Sequence, residues 1–477
     1  MSEESPLFPL QPLELISESK SLFKSSLPIS LTHLAGFATS LISFSFAGKN
    51  GNPFELAGFG FGSTLMVLFC LNLFLSVDQG FTILASKLFG AKKFQELGVL
   101  YQRHLLIAMI ISIPMILAML FSDSILMYLG LDKDVSLNAG ILLRSMIPSV
   151  IGTFLFSSTR HFLISQNILR TPTIILLSLI PVHALLCHIF VDILGMGVAA
   201  IGFAKSITDV TAAILLFSYI RFTGVCRDTW IPWTKECLEN KSLHLQRTFV
   251  LGGTNFFELA TYEFSTIIIG SLNDVSVLGA YTVAMNLIFT ILCIPVGIGL
   301  SMQAMIGNAI GKGHKEKVKK ILAGGIVLNL FTNLITVPLL VAFRKQIASF
   351  YIVDNFSNEV LQSMLVFVAI AHFFESFANI IGGVLRVVGK ERQVLGAFLV
   401  CFWGIGVNGQ WIFGVKQNYG YIAVWLFTVI AAFSMFVFVV YQICALDWKA
   451  QIGKVKRALD MQVYAETQSL IEFADMT

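Results

Sequence analysis

Charged residues are scarce in this chain. They make up 13% of its 477 residues, against about a quarter in soluble domains, and 56% of the residues are hydrophobic. The seven cysteines form no CxxC pair and no cluster with histidine, so a metal centre or a disulfide framework has no support. No phosphate loop, nucleophile elbow or dinucleotide fingerprint is present. We therefore expect an integral membrane protein that is not an enzyme and uses no cofactor or metal.

Long apolar stretches recur along the whole chain. A transmembrane helix needs about 20 mostly apolar residues. By this measure the spans lie at 27–47, 57–79, 103–121, 141–165, 173–193, 197–220, 248–270, 277–305, 321–343, 361–385, 394–414 and 421–443. The predicted fold is all-α, with about twelve transmembrane helices. The segment 1–25 is acidic and lacks the pattern of a signal peptide, so we expect a cytosolic tail.

Basic residues occur mainly in alternate loops. They fill the central loop 221–247 and the loop with Lys312 to Lys320, and they follow the tenth and twelfth spans. Arg103 after the second span and Arg160 near the end of the fourth fit the same alternation. Because basic loops stay in the cytosol, both termini are predicted to be cytosolic.

The second half of the sequence repeats the first. Gly90 corresponds to Gly311 and Leu163 to Leu385, and the two pairs have nearly the same offset along the chain. Two halves with an even number of spans have the same orientation, and such parallel repeats build transporters. The predicted division is a cytosolic tail (1–25), a first lobe of helices 1–6 (26–220), a cytosolic linker (221–247), a second lobe of helices 7–12 (248–445) and a cytosolic tail (446–477).

Carboxylates inside the spans are the strongest functional signal. Glu258 and Glu263 lie in the seventh span, and Glu375 lies in the tenth. An ionisable group at this depth costs several kcal/mol and is rare unless it faces a cavity or a partner. Thr254 and Tyr262 share the helix face of Glu258, whereas Glu263 points about 140° away. His372, three residues before Glu375, shares that acid's face.

These acids favour proton-coupled transport. A carboxyl in a low-dielectric cavity gains and loses a proton near neutral pH, and its ionised form attracts an organic cation. Proton and solute would then compete for one group. The alternative is a buried acid that only holds helices together through hydrogen bonds. That alternative is weak for Glu258 and Glu375 and stays open for Glu263.

Other polar residues of the spans have more than one interpretation. Asp78 ends the second helix, where solvation is favoured over a role in the cavity, and Asp209 is placed to pair with Lys205. His183 suggests either a polar lining or a satisfied buried histidine. Pro295, before Val296 and Gly297, predicts either a structural kink or a hinge.

Several segments together resemble one known family. They are LGVLYQR at 97–103, IPVG at 294–297, GNAIG at 307–311, HFFE at 372–375, GGVLR at 382–386, and Glu258 followed by Tyr262 and Glu263. Over about residues 25–450 the chain resembles the eukaryotic branch of the multidrug and toxic compound extrusion (MATE) family. The resemblance implies two six-helix lobes around a central cavity and proton-driven export of cationic compounds. It also implies that Glu258 and Glu375 bind protons and substrate, with Glu263 in support.

The chain departs from the family pattern in places. Residues 259–260 are Leu and Ala where two tryptophans are usual, which alters the wall of the implied pocket. The usual acid near the end of the second helix is Thr82 here, with Asp78 one turn earlier on the same face. His33 and His183 replace a usual Gln and Asn, so the first lobe diverges most.

The sequence therefore predicts a secondary active antiporter that exchanges protons for an organic, cationic solute by alternating access. The alternatives are a lipid or glycolipid flippase, a sodium-coupled carrier or a neutral-metabolite carrier of the same superfold; a channel or a membrane-embedded enzyme is less well supported. Expected partners are the small-molecule substrate, protons and the lipid bilayer of the plasma membrane, vacuole or another organelle, without nucleic acid. The candidate proton- and substrate-binding residues are Glu258, Glu375, Glu263, Tyr262, Asn286, Asp78 and His372, and Pro295 is the candidate hinge.

Overall fold

A computed structural model describes residues 12–47, 53–128, 130–351 and 355–458. These residues form helices and contain no β-strand. The α-helices are α1 (Pro12–Ala47), α2 (Pro53–Leu65), α3 (Asn72–Gly90), α4 (Phe94–Leu120), α5 (Ser122–Tyr128), α6 (Lys133–Ser145), α7 (Ile147–Ser165), α8 (Arg170–Cys187), α9 (Val198–Thr223), α10 (Lys241–Gly270), α11 (Val275–Gly311), α12 (Lys315–Ala342), α13 (Arg344–Tyr351), α14 (Asn355–Val387), α15 (Glu391–Phe398) and α16 (Gly420–Cys444).

The described helices confirm an all-helical membrane protein. Ten are long and apolar enough to cross a bilayer, and the bent pair α6–α7 makes an eleventh if it is one span. Helix α10, the predicted seventh span, is 30 residues long but does not meet the same test, because glutamates and hydroxyl residues interrupt its apolar sequence. It is nevertheless longer than the stretch of about 20 residues that a span requires.

Several spans contain irregular turns that the apolar pattern does not reveal. A π-helical turn joins α2 to α3, and two more π-helical stretches, Leu399–Val407 and Gln410–Lys416, follow α15. The predicted fourth span is divided by a bend of 48°, and Pro148 stands at the start of α7 just after it. Proline is tolerated there because the first N–H groups of a helix have no partner within it.

Two arginines that were counted with the basic residues of the loops lie within helices. Arg103 is in α4 and Arg160 is in α7, and both side chains are buried. Both positions fall inside the predicted spans 103–121 and 141–165, so these two arginines add nothing to the basic charge of the loops. The side of the membrane on which the termini lie stays a prediction.

The chain divides into two compact units. Among the described residues, the N-terminal unit comprises 27–82 and 95–267, and the C-terminal unit comprises 12–26, 83–94 and 268–458. The unit boundaries fall inside the continuous helices α1, α3 and α10. The division into lobes at 26–220 and 248–445 stays a prediction.

Helices α3 and α10 approach each other closely in the N-terminal unit. A methyl group on Gly80 would lie 2.0 Å from the carbonyl oxygen of Thr248, and one on Gly252 would lie 1.6 Å from that of Ser76. Only glycine permits backbones this close, as is common between membrane helices. Residues 76–80 of α3 therefore face residues 248–252 of α10.

Helices α3 and α11 make a similar contact in the C-terminal unit. A methyl group on Gly90 would lie 2.2 Å from the carbonyl oxygen of Asn308, and one on Gly311 would lie 2.2 Å from that of Lys87. These glycines, aligned with each other in the sequence repeat, sit at equivalent helix ends. The contact fixes the end of α3 against the end of α11.

Candidate functional site

Helix α10 carries the first group of predicted site residues. Glu258 is half-buried, and the neighbours on its face, Thr254 and Tyr262, are buried at 7% and 4% exposure. Glu263 is also half-buried. The regular α-helix keeps Thr254, Glu258 and Tyr262 on one face at a spacing of four, so two hydroxyl groups flank one carboxylate.

Helix α14 carries the second group. His372 and Glu375 are buried at 2% and 3% exposure, in the middle of a continuous 33-residue helix. The next residue, Ser376, accepts hydrogen bonds from the Nδ2 amides of Asn329 (3.1 Å) and Asn333 (2.9 Å) of α12. A polar layer between α12 and α14 thus surrounds the turn that bears Glu375.

The two candidates on α11 have different surroundings. Asn286 is exposed, and its Nδ2 amide donates to the carbonyl oxygen of Thr282 one turn earlier, at 2.9 Å. Pro295 lies within α11, which continues on both sides of it. Proline supplies no N–H for the carbonyl four residues earlier, so this turn lacks one hydrogen bond. The role of Pro295 as a hinge stays a prediction.

Asp78 is deeply buried rather than solvated at a helix end. Its side chain is 2% exposed in the N-terminal unit. It accepts hydrogen bonds from His104 Nε2 (2.7 Å) and Ser158 Oγ (2.8 Å) on Oδ1, and from Ser157 Oγ (2.5 Å) on Oδ2. The sequence interpretation that favoured helix-end solvation is wrong, because α3 continues for three more turns to Gly90.

A larger polar cluster surrounds Asp78, and the sequence analysis missed most of it. Thr82 Oγ1 lies 2.7 Å from His161 Nδ1, and Arg160 donates through an Nη atom to His161 Nε2 at 3.1 Å. His33 lies in the same charged neighbourhood. A histidine or arginine within an apolar stretch was the available signal, and it was overlooked for Arg160 because a terminal basic residue resembles a loop charge.

Two predicted polar pairs of the first half have clear structural roles. Lys205 Nζ lies 2.6 Å from Asp209 Oδ1, which confirms the predicted ion pair. His183 is buried and bonded to Ser43 Oγ (2.9 Å) and Thr208 Oγ1 (3.1 Å). It is therefore a satisfied buried histidine, the second of the two interpretations.

The site residues are distributed between the units. Glu258, Tyr262, Glu263 and Asp78 belong to the N-terminal unit, and the others belong to the C-terminal unit. Asp78 is level with residues near 250 of α10, so it lies roughly 12 Å along the helix axis from Glu258 at 1.5 Å per residue. Among the described residues, no three His, Cys, Asp or Glu side chains are grouped as metal ligands.

The MatE family model matches the chain twice, at residues 28–189 and 251–412. The chain belongs to the MATE family. The second match begins at residue 251 and the first at residue 28, an offset that agrees with the internal repeat seen in the sequence. Members of this family are membrane transporters and not enzymes, so the predicted transporter class and multi-pass membrane location are confirmed.

Curated relatives from animals and plants resemble most of the chain. Multidrug and toxin extrusion protein 1 of zebrafish (Danio rerio) is 24% identical over 92% of this chain and 74% of its own length. The rabbit (Oryctolagus cuniculus) protein of the same name is 26% identical over 94% and 78%. Protein DETOXIFICATION 49 of Arabidopsis thaliana is 23% identical over 93% and 89%. These likenesses confirm the eukaryotic branch.

Solved structures share the fold. The eukaryotic MATE transporter AtDTX14 superposes with a TM-score of 0.87 at 16% identity, covering 93% of this chain and 99% of that one. The Vibrio cholerae MATE transporter VcmN gives a TM-score of 0.80 at 15% identity, covering 94% and 98%. At this identity the likeness shows the fold alone.

Proposed function

We propose that this MATE protein is a secondary active antiporter that exports organic cations in exchange for protons. The observation that carries the proposal is Glu375, a carboxyl group at 3% exposure in the middle of a long transmembrane helix. Such a group is costly in a membrane protein unless it serves a function. The names of the curated relatives, multidrug and toxin extrusion proteins, support the substrate class.

The two carboxylates would couple proton and solute by competition. Outward-facing, Glu258 and Glu375 take up protons, lose their charge and release the cation. Inward-facing, they lose the protons to the cytosol and bind a new cation. The difference in solute affinity between protonated and ionised acids is the coupling free energy.

Neighbouring side chains determine the polar surroundings of each acid. On α10, Thr254 and Tyr262 lie one turn before and one turn after Glu258 on the same face, and Glu263 would add negative charge on another face. On α14, His372 lies one turn before Glu375 and is buried with it. Leu259 and Ala260 replace large rings next to Glu258, so we expect a roomier wall and a preference for bulkier cations than in relatives with two tryptophans.

The rival functions demand other chemistry. A lipid or glycolipid flippase requires a basic site for the head group, whereas the candidates on α10 and α14 are acids. Sodium coupling is chemically possible, because carboxylate oxygens also ligate hard cations. A neutral-metabolite carrier would not need ionised carboxylates for binding.

The test is proton-gradient-driven transport of a fluorescent cation, ethidium, in proteoliposomes. We expect Glu258→Gln and Glu375→Gln each to lower the initial rate roughly tenfold or more, the change produced by losing about 1.4 kcal/mol of charge-dependent binding. Glu359→Gln is the matched control, since Glu359 is an exposed glutamate on the same helix as Glu375. It should transport at the wild-type rate.

Two outcomes would overturn the proposal. Transport of ethidium that follows an imposed sodium gradient but ignores a proton gradient would favour the sodium-coupled carrier. Wild-type rates in both glutamine variants would show that the carboxylates hold helices together without coupling transport.

A further inference from the structure

A chain of hydrogen-bonded side chains leads from Asp78 to the first turn of α10. His104 Nε2 lies 2.7 Å from Asp78 Oδ1, and His104 Nδ1 lies 3.4 Å from His244 Nε2. The two imidazole rings meet edge to face, with centroids 5.6 Å apart. All three residues belong to the N-terminal unit and all three are buried.

The partners of Asp78 determine which nitrogens carry protons. The Asp78 carboxylate accepts hydrogen bonds from two serine hydroxyls. Because an ionised carboxylate can only accept, the His104 nitrogen that faces it must be a donor. The Nε2–H of His104 therefore donates to Asp78, which leaves Nδ1 as the acceptor for the Nε2–H of His244. Both nitrogens of His104 and the Nε2 of His244 thus take part in hydrogen bonds that pair one donor with one acceptor.

The surrounding structure holds the three residues in place. Phe81 stacks on the His104 ring with centroids 4.3 Å apart. The glycine contacts at Gly80 and Gly252 hold α3 against α10, one turn from His244. His104 itself is fully enclosed, whereas His244 lies in the first turn of α10, at the end of the predicted linker.

The linker packs against α4 beside His104. Gln102 Nε2 donates to the carbonyl oxygen of Pro232 at 2.8 Å, and Arg103 donates through an Nη atom to that of Glu236 at 3.1 Å. Residues 231–236 therefore lie on α4 beside His104. The sequence places this linker in the cytosol, so the line ends at the predicted cytosolic face.

We propose that the Asp78–His104 pair is a second proton-accepting site, loaded through His244 from the linker side. A proton binds Nδ1 of His244, and the proton on its Nε2 moves to Nδ1 of His104. The His104 imidazolium then keeps its Nε2–H···Asp78 bond as an ion pair. His244 returns to its starting tautomer by ring rotation or by exchange with solvent, so one proton enters the pair and no other bond changes.

The nearby charges influence proton uptake by the Asp78–His104 pair. Before uptake, the Asp78 carboxylate and the Arg160 guanidinium balance each other, so the added proton leaves a net positive charge. Because the line of side chains begins at the linker, uptake would follow the pH on the linker side. The titratable and charged groups around the pair and its entry are Arg160, His161, His33, Arg103 and Arg247.

A regulatory effect of this proton on transport rests on the proton antiport proposed above, whereas the protonation itself does not. The test therefore uses the full chain in lipid nanodiscs without any transported solute. Ring-labelled histidine allows imidazole and imidazolium bands to be followed by infrared difference spectroscopy between pH 8 and pH 5. Failure of ethidium transport would leave this measurement interpretable.

Three variants give distinct expected results. His104→Gln removes one titrating imidazole from the spectrum. Asp78→Asn, of nearly the same shape, removes the counter-charge and weakens the imidazolium band. His244→Gln keeps that band but slows its appearance after a pH jump by roughly tenfold, an effect that a purely structural role would not produce.

His188→Gln is the matched control, because His188 is an exposed histidine that pairs with Asp192 at 2.6 Å. Its loss removes a different titration and leaves the pH-jump kinetics of the buried one unchanged. The proposal is overturned if the spectrum of His104→Gln is the same as that of the wild type. It is also overturned if the imidazolium band of His244→Gln appears at the wild-type rate. If His104→Gln does not fold, an unchanged imidazolium band in Asp78→Asn overturns it instead.

Discussion

Asp78 and Asp209 are buried carboxylates of the same unit with different charge partners. Asp209 is paired with the ammonium of Lys205, four residues earlier on α9, and also accepts from Ser149 Oγ at 2.5 Å. Asp78 has no lysine on its own helix turn and is bonded instead to an imidazole and two hydroxyls. A fixed cation makes Asp209 a permanent ion pair, whereas an imidazole lets the charge at Asp78 change.

Asp209 is therefore expected to be structural. Asp209→Leu leaves Lys205 without its carboxylate and two hydroxyls without an acceptor. We expect a destabilisation of about 1–3 kcal/mol, below the 3–5 kcal/mol of fully buried pairs because Lys205 is partly exposed. Thermal unfolding in detergent measures the change. The double variant Lys205→Met with Asp209→Leu should recover part of it, and no recovery would contradict the pairing.

At the scale of elements, the contact of α3 with α10 depends on two glycines. Gly252→Ala would place a methyl group 1.6 Å from a backbone oxygen, and backbone cannot rotate away as a side chain can. We expect about 2 kcal/mol or more of destabilisation. Gly270→Ala on the same helix meets no atom within 4 Å and should change stability by less than about 0.5 kcal/mol. Equal melting temperatures for the two variants would contradict the close contact.

The same helices show how far a sequence predicts this fold. The spans predicted at 277–305, 361–385 and 421–443 fall within α11, α14 and α16, because each is mainly apolar over more than 20 residues. The π-helical turn after α2 was not predicted, since one extra residue per turn leaves an all-round apolar pattern unchanged. The bend before α7 lies beside Pro148, and proline within a span is a signal for a kink.

The candidate site was predictable only in part. Glu375 was identified because a single acid in an apolar helix is conspicuous. The cluster at Asp78 was not, because His104, Ser157 and Ser158 are 26 to 80 residues away in the chain and meet it only through helix packing. Local periodicity carries no information on such pairings.

At the scale of the whole molecule, the repeat in the sequence predicts that the two halves have the same orientation. Helix α11 should then begin outside and end in the cytosol. In a cysteine-free background, Asn273→Cys before α11 should react with a membrane-impermeant maleimide from outside, and Lys317→Cys after it only from the cytosol. Both positions are exposed. Labelling of both from one side would contradict the predicted topology.

Helix α11 is also longer than any bilayer is thick. Its 37 residues extend about 55 Å, whereas the hydrocarbon core measures about 30 Å. From Gly299 to Gly311 every residue except the half-buried Met305 is buried within the C-terminal unit. The part of α11 that extends beyond the hydrocarbon core therefore exposes no apolar surface to water. In a thinner or thicker membrane a different length of this helix lies in the hydrocarbon core, and its buried residues stay covered by the C-terminal unit. The protein should tolerate both the thin membranes in which it is made and the thicker ones to which it could be sorted.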